Sequence, residues 1–261
     1  LSKIPEHASI VTTADFFTPL SEKVNIYYLR YLFNNRYQLS IKPYDFPKEN
    51  EYILFRPNDL VYYELLTRNG SGQMRDNGKT LNAFMKESNY VPFVILNDYI
   101  LFSKGTGSWF PYYDEIDELP ESAVKNKNSE STDALTILAW NNIQPTDDHI
   151  LLTTYNKKQR EISEPIYYKA TLYNKDSLEL YSTITPQSFG LVNTLDWPID
   201  TLIKSSILID VSKIKTSDVA YIELTPVLLS ASNTLSKTAS TVFVPDSITS
   251  VGRTNYLRLD Q

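Results

Sequence analysis

Two groups of residues have types and spacing that could do chemistry. The first is the run from Trp109 to Glu118, in which Trp109, Tyr112 and Tyr113 stand beside Asp114, Asp117 and Glu118. Aromatic faces stack on sugar rings, and neighbouring carboxylates act as acid and base in glycoside cleavage or bind calcium. Trp109, Tyr112, Tyr113, Asp114 and Asp117 are therefore the candidate binding residues. The spacing of a calcium loop is absent, and a charged, Tyr-rich loop that covers a sheet edge or meets a neighbouring subunit has the same composition. The second group is Asp147, Asp148 and His149, where the carboxylates could orient the ring or join it in a metal site. A polar turn ahead of a strand at residues 150–155 explains the same three residues more simply.

Beyond these, the chemistry thins out. The only other histidine is His7, and neither histidine lies beside a Gly-x-Ser-x-Gly pattern, so a Ser-His-Asp set is not expected. Gly105-x-Gly107 follows a strand as a phosphate loop would, but Trp109, Phe110 and Pro111 stand where its helix should begin. The absence of cysteine excludes disulfides, thiol nucleophiles and cysteine-type zinc sites. Arg68, Arg75 and Lys79 flank or occupy a polar loop at 69–78 and could grip an anion, although a solvated loop has the same look. The expectation is a chain with no catalytic residue, no metal and no cofactor.

The charge balance narrows the partners. With 25 basic against 31 acidic residues the formal charge is -6, and no run of Lys and Arg approaches the clustered basic face that phosphate binding needs. Nucleic acid and anionic membrane surfaces are not expected partners. No apolar run reaches the roughly 18 residues of a membrane helix. The opening residues do not read as a signal peptide.

The elements that must position the candidates divide at a polar stretch, residues 121–133, which holds one strongly apolar residue, Val124. Such a stretch buries too little surface to offset its own ordering. Residues 1–122 carry 22 of the 33 aromatic residues, and the remainder is richer in Ser and Thr. The expected organisation is an aromatic-rich β domain at 1–122, a polar linker at 123–133 and a Ser/Thr-rich β-sandwich domain at 134–261.

In the first half, strands are expected at 8–13, 37–41, 52–55, 60–66, 90–96 and 99–104, the last two joined by a tight turn at Asn97 and Asp98. Residues 24–33 fit helical spacing with Ser21 as N-cap, although Val24, Ile26 and Tyr28 also alternate as in a strand. Leu81, Phe84 and Met85 predict an amphipathic helix at 79–87. In the second half, strands are expected at 134–140, 150–155, 166–173, 177–182, 189–193, 206–211, 219–229, 241–244 and 255–259, with a short helix at 196–204. The fold class predicted is mainly β: two antiparallel β-sandwich or jelly-roll domains in tandem, each with a short flanking helix.

The order of strands, one short helix and then a strand pair at 79–104 and again at 196–229, with the seam at 121–133, resembles the tandem jelly-roll coat proteins of viruses and phages. The resemblance covers nearly the whole chain and rests on order and size. It implies a virion component, a capsid or head-tail building block, that associates with copies of itself, the trimer being favoured, and with other structural proteins. The 19 tyrosines point the same way, because Tyr offers large contact area at low entropy cost where surfaces meet. The alternative is an extracellular or cell-surface protein that binds carbohydrate or cleaves glycosides through the Trp109 to Glu118 loop.

Overall fold

A computed structural model describes residues 4–21, 25–37, 42–45, 49–69, 78–105, 112–126, 134–230, 247–250 and 255–258. The chain is mainly β, with few helices and several antiparallel strand pairs. It divides into two compact units, Leu1–Phe110 and Pro111–Gln261. That division falls upstream of the polar stretch at 121–133. Within the stretch, residues 127–133 lie outside the described residues, and residues 121–126 belong to the second unit.

The first unit is built on a five-stranded sheet of order β2-β1-β3-β5-β4. Its strands are β1 (Ser9–Thr12), β2 (Asn25–Tyr28), β3 (Tyr52–Phe55), β4 (Tyr90–Leu96) and β5 (Tyr99–Lys104). β1 runs parallel to both β2 and β3, whereas β3-β5 and β5-β4 are antiparallel. The sheet is therefore mixed rather than an antiparallel sandwich. Parallel pairing needs crossovers and buried strands, and β1 is buried along its whole length. One face carries Ile10, Leu54 and Leu101 with Ile4, Ala8 and Leu20, and the other carries Phe55 stacked on Phe102.

Helices follow the parallel strands. Residues 25–34 form β2 and then α1 (Leu29–Asn34), so the helix expected over 24–33 is a strand that turns into one helical turn and a half. The N-cap is Tyr28 rather than Ser21, and Tyr27 and Tyr28 of the helical spacing lie in the strand. The strand expected at 60–66 is instead the middle of α2 (Pro57–Asn69). Its start carries the reason: Pro57 presets the first helical turn, and the Asp59 carboxylate accepts the Arg56 backbone N–H at 3.2 Å, half of a capping box. α3 (Lys79–Glu87) lies where the i, i+3, i+4 spacing predicts it, with Leu81 and Met85 buried. Of the strand expected at 37–41, residues 38–41 lie outside the described residues.

The second unit is a two-sheet sandwich. One sheet has the order β6-β12-β9-β8-β7, from β6 (Tyr113–Ile116), β7 (Val124–Lys125), β8 (Leu135–Pro145), β9 (His149–Lys158) and β12 (Leu202–Asp210). The other has the order β11-β10-β13-β14, from β10 (Tyr167–Tyr173), β11 (Glu179–Thr185), β13 (Tyr221–Ser230) and β14 (Ser247–Ser250), with β15 (Asn255–Arg258) also on β13. All these pairings are antiparallel. Ile150, Leu152, Ile207 and Ile209 from one sheet meet Ala170, Leu172, Ile222 and Leu224 from the other.

Three expectations change here. Val124 and Lys125, placed in the polar linker, pair with Trp140 and Ala139 as β7. The helix expected at 196–204 is a 3₁₀ turn, Thr194–Asp196, followed by the start of β12. Of its apolar residues, Leu195 lies in that turn, Ile199 follows it, and Leu202 and Ile203 open the strand. The strand expected at 189–193 is replaced by a 3₁₀ turn, Gln187–Gly190, in which Ser188, Phe189 and Gly190 all have positive φ. Residues 241–244 lie outside the described residues.

Candidate functional site

The first unit holds an open cleft of about 550 Å³ lined by His7, Ser9, Asn25, Tyr27, Glu49, Asn50 and Glu51. The parallel register creates it. Ser9 and Asn25 are partners at the starts of β1 and β2, and Glu51 immediately precedes Tyr52 of β3, which pairs with Ile10. The cleft thus sits at the amino ends of three adjacent strands, the end opposite to that used by ligands in open α/β sheets. Ser9 ties its wall together: its N–H donates to Glu51 Oε2 at 3.1 Å, and its hydroxyl donates to the Glu49 carbonyl at 3.2 Å. Asn50 is fully buried, and its Nδ2 donates to the Tyr52 carbonyl at 2.6 Å and to the Tyr90 hydroxyl at 3.1 Å. Its Oδ1 has no hydrogen-bond partner.

At the carboxyl ends of β1 and β3 the polar groups serve one another. Arg56 contacts Asp59 through Nε at 3.2 Å and through Nη2 at 3.0 Å, reaches Asp15 at 2.9 Å, and lies 5.1 Å from the Tyr99 ring centroid. This fork binds the sheet to the start of α2 and leaves the guanidinium buried.

A second surface of the same unit is aromatic. Phe17, Tyr28, Tyr31, Tyr37 and Tyr44 form a chain of edge-on and tilted rings with centroid distances of 4.8 to 5.7 Å. Such arrangements are the favoured geometry of aromatic pairs. Phe17 is 36% and Tyr37 42% exposed. Burial, and then the neighbouring Tyr37, push the Tyr44 phenol up to about 12.

The residues singled out from the sequence fall in different surroundings. Trp109 lies outside the described residues. Tyr112 and Tyr113 are half-buried and pack on the core of the sandwich, with rings 6.4 Å from Phe189 and 6.2 Å from Trp197 respectively. Burial holds the Tyr112 phenol at about 12. Tyr113 donates its hydroxyl hydrogen to Glu115 at 2.9 Å. Asp114 is exposed on the edge strand β6, opposite Lys204 of β12, and Asp117 is exposed just past that strand. His149 is buried at the β8-β9 hairpin, where Nδ1 is 2.8 Å from Asp148 and 3.0 Å from the Thr146 hydroxyl. Among the described residues no three His, Asp or Glu side chains are placed to hold a metal ion. No helix among them is long and apolar enough to cross a membrane.

Sequence reasoning did not find the cleft. Glu49, Asn50 and Glu51 read as polar punctuation before a strand, and only the parallel register of β1 with β2 and β3 brings them to Ser9 and Asn25. No protein-family model matches this sequence, and no curated protein matches it.

Proposed function

We propose that the chain is a non-enzymatic structural protein that associates with copies of itself through Tyr-rich surfaces, as a virion component of the capsid or head-tail kind. The trimer is the favoured oligomer, and other structural proteins are its neighbours. The observation that carries this reading is the ring cluster of Phe17, Tyr28, Tyr31, Tyr37 and Tyr44, half-exposed on a well-packed unit. Holding five rings at the surface costs solvation, which a second copy presenting the same patch would recover, and Tyr tolerates the wet rim of such a contact. The antiparallel sandwich of the second unit supports a scaffold role, because its interior is filled with side chains.

The test is the solution mass of the full chain by light scattering over a range of concentrations. A trimer or larger species is expected, and a Phe17→Ser/Tyr37→Ser variant with an unchanged circular dichroism spectrum should fall toward monomer. A strict monomer at every concentration overturns the reading. So does a variant that associates as well as the parent. The carbohydrate alternative needs Tyr112 and Tyr113 as stacking faces, and both lean on the sandwich core. Saturable glycan binding that is abolished by Asp114→Asn/Asp117→Asn would establish it instead.

A further inference from the structure

We propose that the outer edge of β11 is a second self-association surface, on which the same strand of another copy pairs antiparallel across a twofold axis. β11 is the end strand of its sheet, paired with β10. Among the described residues no other strand and no isolated bridge lies along its far side. Leu180 to Ile184 are half-buried, as expected of a strand covered on one side, and Leu178 just ahead of them is 63% exposed.

This edge lacks the protection that sheet edges ordinarily carry, which is short length or charge. The companion sheet of the same unit is protected in that way: it ends on β6, four residues with Asp114 and Glu115, and on the two-residue β7. β11 has seven residues and a single charge, Glu179, at its first position. Its one irregularity, at Leu180, lies beside that position, and the register with β10 is regular from Tyr181 to Thr185. The strand is held in place from within, since Lys213 lies 5.6 Å from the Tyr181 ring centroid and the Thr185 hydroxyl donates to the Leu208 carbonyl at 2.8 Å.

The charge pattern selects the occupant. A strand can meet its own copy antiparallel only where no like charges fall opposite one another, and residues 180–185 carry none. With the axis at Ser182 or at Thr183, Tyr181 stands opposite Thr183 or Thr185 of the second copy, an aromatic against a β-branched residue, which is a favourable cross-strand pair. The two Glu179 side chains then stand at opposite ends of the joint. Pairing uses up both edges, so the contact closes at two copies. It involves none of the rings of the first unit and joins oligomers that those rings form.

The experiment uses the absence of cysteine. Ser182→Cys puts a single thiol on the edge in place of a half-buried hydroxyl that meets the Thr171 hydroxyl at 3.3 Å. Either axis leaves the two Cβ atoms at 182 within about 8 Å, so a short bis-maleimide should trap a covalent dimer of the full chain. Leu178→Cys is the control, because antiparallel pairing holds it about 30 Å from its copy despite its greater exposure. Adding Ile184→Lys to Ser182→Cys brings like charges to the joint and should lower the yield about fivefold or more. Trapping should persist in the Phe17→Ser/Tyr37→Ser background, so this contact and the ring contact are read separately. With circular dichroism spectra unchanged, the proposal is overturned if Ser182→Cys yields no covalent dimer in either background, if Leu178→Cys yields as much, or if Ile184→Lys leaves the yield as it was.

Discussion

The Tyr168 hydroxyl donates to Asn156 Oδ1 over 2.7 Å in the interior of the second unit, joining β10 of one sheet to β9 of the other. Asn156 Nδ2 continues to the Thr154 hydroxyl at 2.9 Å, and Thr154 donates to the Ser205 carbonyl at 3.3 Å. The inward side of β9 therefore passes from Ile150 and Leu152 to Thr154, Asn156 and Lys158, all buried. One end of this core is oily and the other is hydrogen-bonded.

Tyr168→Phe should cost about 1 to 3 kcal/mol, because it leaves a buried amide oxygen without its donor. Tyr173→Phe removes a comparable 2.8 Å bond to Glu223 on a half-buried surface and should cost less than about 1 kcal/mol. Urea unfolding followed by tryptophan fluorescence measures both, and equal losses would show that the interior bond has no special weight.

Lys158 is 2% exposed, and its ammonium donates to the carbonyls of Leu195 and Trp197, each at 2.9 Å. Lys158→Met keeps the stem and deletes the donors, so two carbonyls of the turn before β12 lose their partner. The expected loss is about 2 to 4 kcal/mol. A loss below about 0.5 kcal/mol in the same urea assay would contradict this role.

Gly78 precedes α3 with φ +77°, and a Cβ added there would lie 2.7 Å from Cε2 of the buried Phe33 ring. Backbone strain and overpacking act together, so Gly78→Ala should destabilise by about 2 to 3 kcal/mol. A thermal midpoint unchanged from the parent would refute the clash between this glycine and α1.

Burial first of all raises the phenols of Tyr44, Tyr90, Tyr99 and Tyr112 from 10.0 to about 12. An unfolded chain releases these protons as pH passes about 10, whereas the folded chain still holds them, so the folded state binds more protons there. Stability is full below about 10 and falls as pH rises through about 12. Denaturant midpoints taken across that window, together with tyrosinate absorbance, check this, and a flat profile would contradict it.

Asp114→Asn and Asp117→Asn should each change stability by less than about 0.5 kcal/mol, since both carboxylates are exposed. Tyr113→Ala should cost about 1 to 3 kcal/mol through its lost contact with Trp197. Comparable losses at all three positions would mean that the acids are held by the fold as firmly as the ring.

Much of the β architecture was legible because it depends on local alternation and turn residues. The hairpin at Asn97 and Asp98, the helix at 79–87 and the strand expected at 206–211 are of this kind. What escaped depends on partners distant in sequence. Leu60 to Leu65 reads as a strand until Pro57 and Asp59 are given their capping roles. Thr154, Asn156 and Lys158 carry no local sign of facing inward, because their inward partners, Ser205, Tyr168 and the carbonyls near Trp197, are contributed by other strands and turns. The cleft was illegible for the same reason: no local pattern announces that β1 will lie between two parallel neighbours. Tyr112 and Tyr113 were singled out as candidate binding residues, and their rings pack on the core of their own unit.

Strand β4 is the outer strand of the first sheet, and its pairing with β5 is broken between Pro92 and Val94, where Phe93 turns outward. A proline without an N–H and a bulge beside it interrupt the ladder that a further strand would have to read. Along this edge the sheet cannot template a fibril. Backbone pairing with a further strand is hindered along this edge, which leaves β2 as the sheet's other edge.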